Sequence, residues 1–201
     1  MKRIDLIAKE YLAPLLKKNG FKKKKNAWNR ERGDLIDIIE IDELRGSTQD
    51  NERFVLNVGL FVPAFFETVW NEKHKGFAQD ADAVIRLRLE DFLDESFSEE
   101  INKSWVDLNF DDITNIGLEI SKAVEDTVLP RLDSVSDFKA LGLLADEVES
   151  RHKDYPLAQI CFALLKYQNG NHDEATNIFN SLASGKNKAW ASRAKDVLSR
   201  I

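Results

Sequence analysis

The chain has 201 residues, 43% of them hydrophobic and 32% charged, with four prolines, nine glycines, one cysteine and a net charge of −6. Such a composition can bury a core without disulfides or metals and excludes disordered and collagen-like classes, while the single Cys161 excludes an intramolecular disulfide and fits a reducing compartment. The charge is segregated: Lys17, Lys18, Lys22 to Lys25, Arg30 and Arg32 against Glu31 give residues 17–32 a charge of +7, so the rest of the chain carries −13. A field of that shape sets which partners approach and how fast.

Asp5, Lys9 and Glu10 interrupt the apolar run that a secretion signal needs, and no apolar stretch approaches the roughly 20 residues that span a bilayer. The expectation is a cytoplasmic protein with no membrane partner. Ile4, Ile7, Ala8, Tyr11, Leu12, Leu15 and Leu16 fall at helical spacing and predict an amphipathic helix ending at Gly20, a left-handed stop. Pro14 inside it predicts a kink or a new helical turn. Phe21 to Arg32 reads as a strand, joined across Gly33-Asp34 to a second from Leu35 to Ile41, the gap being that of an antiparallel hairpin.

After a polar, turn-rich 45–52, Phe54, Leu56, Val58, Leu60 and Val62 alternate strictly, which predicts a strand. Val55, Asn57, Gly59 and Phe61 on its other side make it a central strand covered on both faces. Pro63 opens a short helical piece bearing Phe65, Phe66, Val69 and Trp70 on one side. Val84 to Leu89 reads as a fourth strand, with Arg86 and Arg88 on its solvated face. Trp105, Val106 and Leu108 suggest a short edge piece. Asp111 or Asp112 would then cap a helix running to Pro130.

From Ser136 onward strand signals stop, and four helices are expected near 137–151, 156–168, 172–184 and 188–200. Their signals are Ser136 as a cap, Asp154 with Pro156, and breaks at Gly170 and Gly185. The predicted class is therefore α+β, an antiparallel sheet of about four strands packed by helices over 1–135, followed by a small all-α region over 136–201.

Within that region Ala163, Gly170, Ala175, Phe179 and Leu182 resemble one tetratricopeptide-like helical hairpin, in which small residues let two antiparallel helices approach. Solenoids need about three repeats to stand alone, so the expectation is an appendage leaning on the first domain and capped by a helix bearing Trp190, Ala194 and Val197. The order Gly20-Phe21-Lys22-Lys23, Trp28, Arg30, Asn57-x-Gly59, Trp105 and Leu129-Pro130 resembles an uncharacterised bacterial family, a domain of unknown function. The resemblance implies a fold and carries no activity.

No catalytic, cofactor or metal residues are expected. His74, His152 and His172 lie in separate elements without partners at ligand spacing, Cys161 sits on an apolar helix side like a small hydrophobe, and neither phosphate-loop pattern occurs. Three surfaces carry the candidate chemistry. Lys22, Lys24, Trp28, Arg30 and Arg32 share one parity of an extended strand, a composition that suits single-stranded nucleic acid or, alternatively, protects a sheet edge. Arg86, Arg88, Glu90 and Asp91, with Asp37 and Glu40 on a neighbouring strand, suit a small acidic ligand or simply form cross-strand ion pairs. The acidic clusters of 90–100 and 107–112, interleaved with Phe92, Leu93 and Phe97, suit capture of a basic protein or form an ordinary solvated face.

The leading expectation is a non-enzymatic cytoplasmic protein that binds another protein, an immunity partner of a bacterial toxin being its sharpest form; that last step is analogy. Nucleic-acid binding through 17–32 is the alternative from another class. An enzyme of unrecognised type is the third, with Asn57, Glu40, Arg86 and Arg88 as the polar residues that would line its pocket.

Overall fold

A computed structural model describes residues 2–48, 51–108 and 113–201. Helix α1 covers 3–18, strands β1 Lys22–Lys24, β2 Ala27–Arg32, β3 Leu35–Glu43 and β4 Arg53–Phe61 follow, then helix α2 Pro63–Trp70, strands β5 Ile85–Arg88 and β6 Val106–Asp107, and helix α3 over 113–134. Four further helices complete the chain: α4 Phe138–His152, α5 Pro156–Gln168, α6 His172–Ala183 and α7 Lys188–Leu198. The α+β layout is present, and the antiparallel sheet has the order β1-β2-β3-β4-β5 with β6 also paired to β4.

The sheet has more than four strands because 21–32 is not one strand. It folds back at Lys25-Asn26, pairing Lys24 with Ala27 and Lys23 with Trp28, and Lys25 takes the positive φ of 55° that the reversal needs. The next reversal, at Gly33-Asp34, falls where the spacing predicts it, with glycine supplying φ +60°. The first turn lacks that glycine signal, so the sequence hides it.

Both long helices of this part meet a proline without ending. Residues Ile7–Leu12 and Val124–Val128 are wound as π-helix, and the N–H of the residue just before each proline reaches back five residues, Ala13 to Ala8 and Leu129 to Val124. Proline offers no N–H and its ring crowds the carbonyl four residues earlier; a wider turn upstream relieves both. The helix expected to stop at Pro130 accordingly continues to Ser134. The capping role expected of Asp111 or Asp112 lies outside the described residues.

One face of the sheet carries the core. Leu35, Ile39 and Ile41 of β3 and Phe54, Leu56, Val58 and Leu60 of β4 join Ile4, Ile7, Leu12 and Leu16 of α1 and Ile116, Ile120, Val124 and Val128 of α3 in one buried cluster. Gly117 makes the approach of the two helices close, since a Cβ there would lie 2.6 Å from the Tyr11 ring. The opposite face holds a small second cluster, Ile38, Phe61, Ala78 and Ala83, where the 71–84 segment crosses the strands. The strand from 53 to 61 is thus covered on both sides, as its two apolar faces predict.

The four carboxy-terminal helices begin within a residue or two of their expected positions, although the first is capped by Asp137 accepting from Ala140 N–H, one residue after the Ser136 expected there. Leu141, Leu144, Ile160, Phe162 and Phe179 belong to the same buried cluster as the sheet. Phe138 stacks on Phe65 at 5.6 Å and Trp190 meets Trp70 edge-on at 5.8 Å between ring centres. The helices after residue 135 are therefore fastened to the sheet domain by shared apolar burial. No helix among the described residues is long and apolar enough to cross a membrane.

Candidate functional site

Strand alternation places Glu40, Asn57 and Arg88 side by side on the face away from the main core, through the pairs Glu40 with Asn57 and Asn57 with Arg88. The next row on that face is Ile38, Gly59 and Arg86. Gly59 leaves room for Ala83, whose Cβ would be 2.8 Å from a Cβ added there. That close approach lets the 71–84 segment lie down and deliver Asp80 to the sheet. Asp80 donates its N–H to Glu40 Oε2 at 2.8 Å, and its carboxylate accepts from Arg86 Nε at 2.8 Å and from the Arg86 terminal nitrogen.

The opposite wall comes from the end of α4. Strand β5 is a sheet edge, and its outward amides would be unpaired; the Arg86 N–H donates to His152 Nε2 at 3.2 Å and the Arg88 N–H to Asp91 Oδ2 at 2.9 Å. Two side chains therefore close the edge against pairing with another chain. His152 is buried, and with Nε2 accepting, its proton sits on Nδ1, 3.0 Å from the Val148 carbonyl. Arg151 pairs with Asp91, and Tyr155 stands beside the Arg86 guanidinium with its ring centre 5.7 Å away. Floor and walls enclose a cleft of about 390 Å³.

Its electrostatics follow from burial. Desolvation pushes the Glu40 carboxyl above the ordinary glutamate range, opposed by the Asp80 N–H and reinforced by the carboxylates of Asp80, Asp42 and Asp82. Desolvation raises Glu90 as well, with Arg88 pulling the other way. A carboxyl whose folded pKa is raised binds more protons folded than unfolded, so its contribution to stability is full below the ordinary glutamate pKa and is lost as pH rises through the raised one. Glu40→Gln is expected to flatten the decline of thermal stability as pH rises above the ordinary glutamate pKa; melting curves at stepped pH check it, and an unchanged slope refutes the assignment.

Asp80 is tied to Arg86 through Oδ2 while its buried Oδ1 has no hydrogen-bond partner, Asp91 is tied to Arg151, and both imidazole nitrogens of His152 are occupied. Cys161 lies elsewhere, buried, with its thiol pushed up to about 12 by burial alone, far from nucleophilic thiolate character. Among the described residues no three His, Cys, Asp or Glu side chains gather as a metal site.

The candidate residues singled out in the sequence separate. Arg86 and Arg88 enter the cleft. The reversal at Lys25-Asn26 puts Lys22 and Lys24 on the face of Asn29 and Ala27, opposite to Trp28 and Arg30, so the shared parity does not exist. Trp28 is 1% exposed and packed in the core, which withholds its faces from bases. Arg30 donates to Asp37 and Asp133, and Asp37 faces the main core with Leu35 and Ile39, on the opposite side of the sheet from Glu40. Lys22 and Lys24 remain exposed on the edge strand β1, with Lys22 3.5 Å from Glu31. Phe92, Leu93 and Phe97 pack against the core, so the acidic stretch does not present them as anchors.

Sequence reasoning missed Asp80, Arg151, His152 and Tyr155. Asp80 lies in the 71–84 segment, which has no periodic signal, and the other three form the end of a helix whose docking on β5 has no local signature.

Fold and site together define an α+β protein whose antiparallel sheet carries helices on one face and, on the other, a polar cleft walled by a carboxy-terminal helical layer. A family model described as Domain of unknown function (DUF4304) matches residues 12–134, and the chain belongs to that family. No curated protein and no solved structure matches the chain. The matched stretch contains Asn57, Asp80, Arg86 and Arg88, whereas Arg151, His152 and Tyr155 lie beyond it.

Proposed function

We propose that the protein is a non-enzymatic binding protein that uses the cleft between β5 and the end of α4 to recognise another protein, with neutralisation of a toxin by a bacterial immunity protein as its sharpest form. One observation carries the reading: Tyr155, 54% exposed, stands with Arg88 and Arg151 around a cleft in which Arg86 is held by Asp80 and Arg151 by Asp91. Tyrosine and arginine are the residue types that concentrate binding energy at interfaces, and prepaired charges lose little freedom on association. Cytoplasmic location accords with the lone, buried Cys161.

Tyr155→Ala removes an exposed ring without opening the core. Capture from the source cell at low salt with the wild-type chain is expected to yield a protein whose affinity falls at least tenfold on Tyr155→Ala, consistent with about 2 kcal/mol for an interfacial tyrosine. A partner retained unchanged by the variant, or none at native expression, overturns the reading.

A further inference from the structure

Two side chains on the cleft floor are unspent. Asn57 is 9% exposed and lines the cleft, and among the described residues nothing hydrogen-bonds its carboxamide, which is left to the solvent of the cleft. Directly across the β4–β5 pairing stands Arg88, half exposed, whose guanidinium has as its nearest ionic neighbour Glu90 at 3.8 Å, beyond hydrogen-bonding reach. Cross-strand neighbours lie about 5 Å apart at Cβ, so the free amide N–H₂ and the guanidinium fork face one another over the same opening.

The remaining charges decide what fits there. Arg86 is occupied by Asp80 and Arg151 by Asp91, and Glu40 is engaged by the Asp80 N–H. Arg88 is the cation left with the loosest partner. Asp42, Asp80, Glu90 and Asp91 line the opening against Arg86, Arg88 and Arg151, and one buried oxygen of Asp80 is unpartnered, which disfavours a dianion such as phosphate and admits at most a single negative charge. We infer that the cleft takes a carboxylate, received by the fork of Arg88 and the carboxamide of Asn57. Planar guanidinium and planar carboxylate match in two parallel hydrogen bonds, and the amide N–H supplies a third donor that the protein itself leaves unused. The inference rests on the cleft being the binding surface and names the group it grips.

The test is a titration of the full-length ¹⁵N-labelled chain, following the Asn57 side-chain amide and the Arg88 Nε–H signals. Glutaramate, the singly charged half-amide of glutarate, serves as a free carboxylate and acetyl-Gly-Glu-Gly-amide as a peptide-borne one, with glutaramide and inorganic phosphate as contrasts. Both signals are expected to move with the carboxylates and to stay put with glutaramide, and the tighter of the two carboxylates identifies the source. Arg88→Gln is expected to weaken binding by about tenfold or more, as for a charge-assisted contact, and Arg88→Lys, which keeps charge but not the fork, to fall between. Signals that do not move at tens of millimolar, that move equally with glutaramide, or that favour phosphate overturn the inference. A protein partner captured equally by wild type and Arg88→Gln also overturns it while leaving the protein-binding reading intact; loss of that partner on Tyr155→Ala alone bears on the reading only.

Discussion

Asp37→Ala is expected to destabilise the protein by about 3–5 kcal/mol, the cost of stranding buried partners of a removed charge. The Asp37 side chain is completely buried and receives three contacts of 2.7 Å, from Arg30 Nε, Arg32 Nε and Arg32 Nη2. The same arginines reach across to the end of α3: Arg30 to Asp133 at 2.6 Å, and Arg32 to the carbonyls of Leu132 and Val135 at 2.9 and 3.0 Å. The Asp37 carboxylate raises the Arg32 guanidinium further above its usual value, through its hydrogen bond first and its charge second. Asp37 therefore holds two cations that in turn reach the end of α3, Arg30 through the Asp133 carboxylate and Arg32 through the Leu132 and Val135 carbonyls at the helix end.

For a chain of this length the loss corresponds to roughly 6–20 °C in Tm, measurable by calorimetry or by denaturant melting at constant pH. Replacing all three residues by apolar ones of similar volume removes the stranded charges and is expected to recover much of the loss, as for other buried ion triads. Recovery should stop short of wild type, because the Val135 carbonyl loses its Arg32 donor and the Leu132 carbonyl keeps only the Val135 N–H. The triad faces the core and the cleft lies on the other side of the sheet, so carboxylate binding below the melting range should be unchanged. Wild-type stability of Asp37→Ala would show that Arg30 and Arg32 find other partners and that the triad is ornamental.

What the amino-acid sequence discloses depends on how far apart the interacting residues lie. The alternation from Phe54 to Val62, the Gly33 reversal and the proline and glycine breaks after residue 136 are local, and each marks an element that the structure contains. Arg86 and Arg88 are legible as a polar face for the same reason. The sign of the error with Lys22, Lys24, Trp28 and Arg30 is equally informative: a single residue, Lys25 at φ 55°, inverts the parity of everything before it. Pro14 reads locally as a kink and Pro130 as a terminator, and both are absorbed by π turns upstream. The cleft escapes local reading because its walls come from residues 80 and 151–155, while its floor comes from strands at 57 and 86–88; only the assembled sheet brings them together.

Glu52 is the other long-range device, and its removal carries the second large effect. It is 3% exposed and enters β4 from a stretch whose sequence reads only as polar turn. Its carboxylate accepts the Arg3 N–H at 3.1 Å through one oxygen and the Ile4 N–H at 3.0 Å through the other, at the start of α1, where Lys2 provides no side-chain cap of its own. A helix begins with amides that have no intrahelical acceptor and with the positive end of its dipole; an anion from 49 residues along the chain satisfies both. The same residue is tied down by its own carbonyl, which accepts the Leu108 N–H at 2.8 Å, while Arg3 donates back to the Leu108 carbonyl at 2.5 Å. Glu52→Ala leaves two amides without acceptors and is expected to cost about 2–3 kcal/mol, the sum of a lost cap and a buried unsatisfied donor. Glu52→Gln retains one acceptor oxygen without the charge and should lose less. Amide exchange distinguishes this role from general loosening: the Arg3 and Ile4 amides should exchange far faster in Glu52→Ala than in wild type, while those in the middle of β4, such as Val58, slow or speed only with global stability. Protected Arg3 and Ile4 amides in the alanine variant would mean that another acceptor caps the helix.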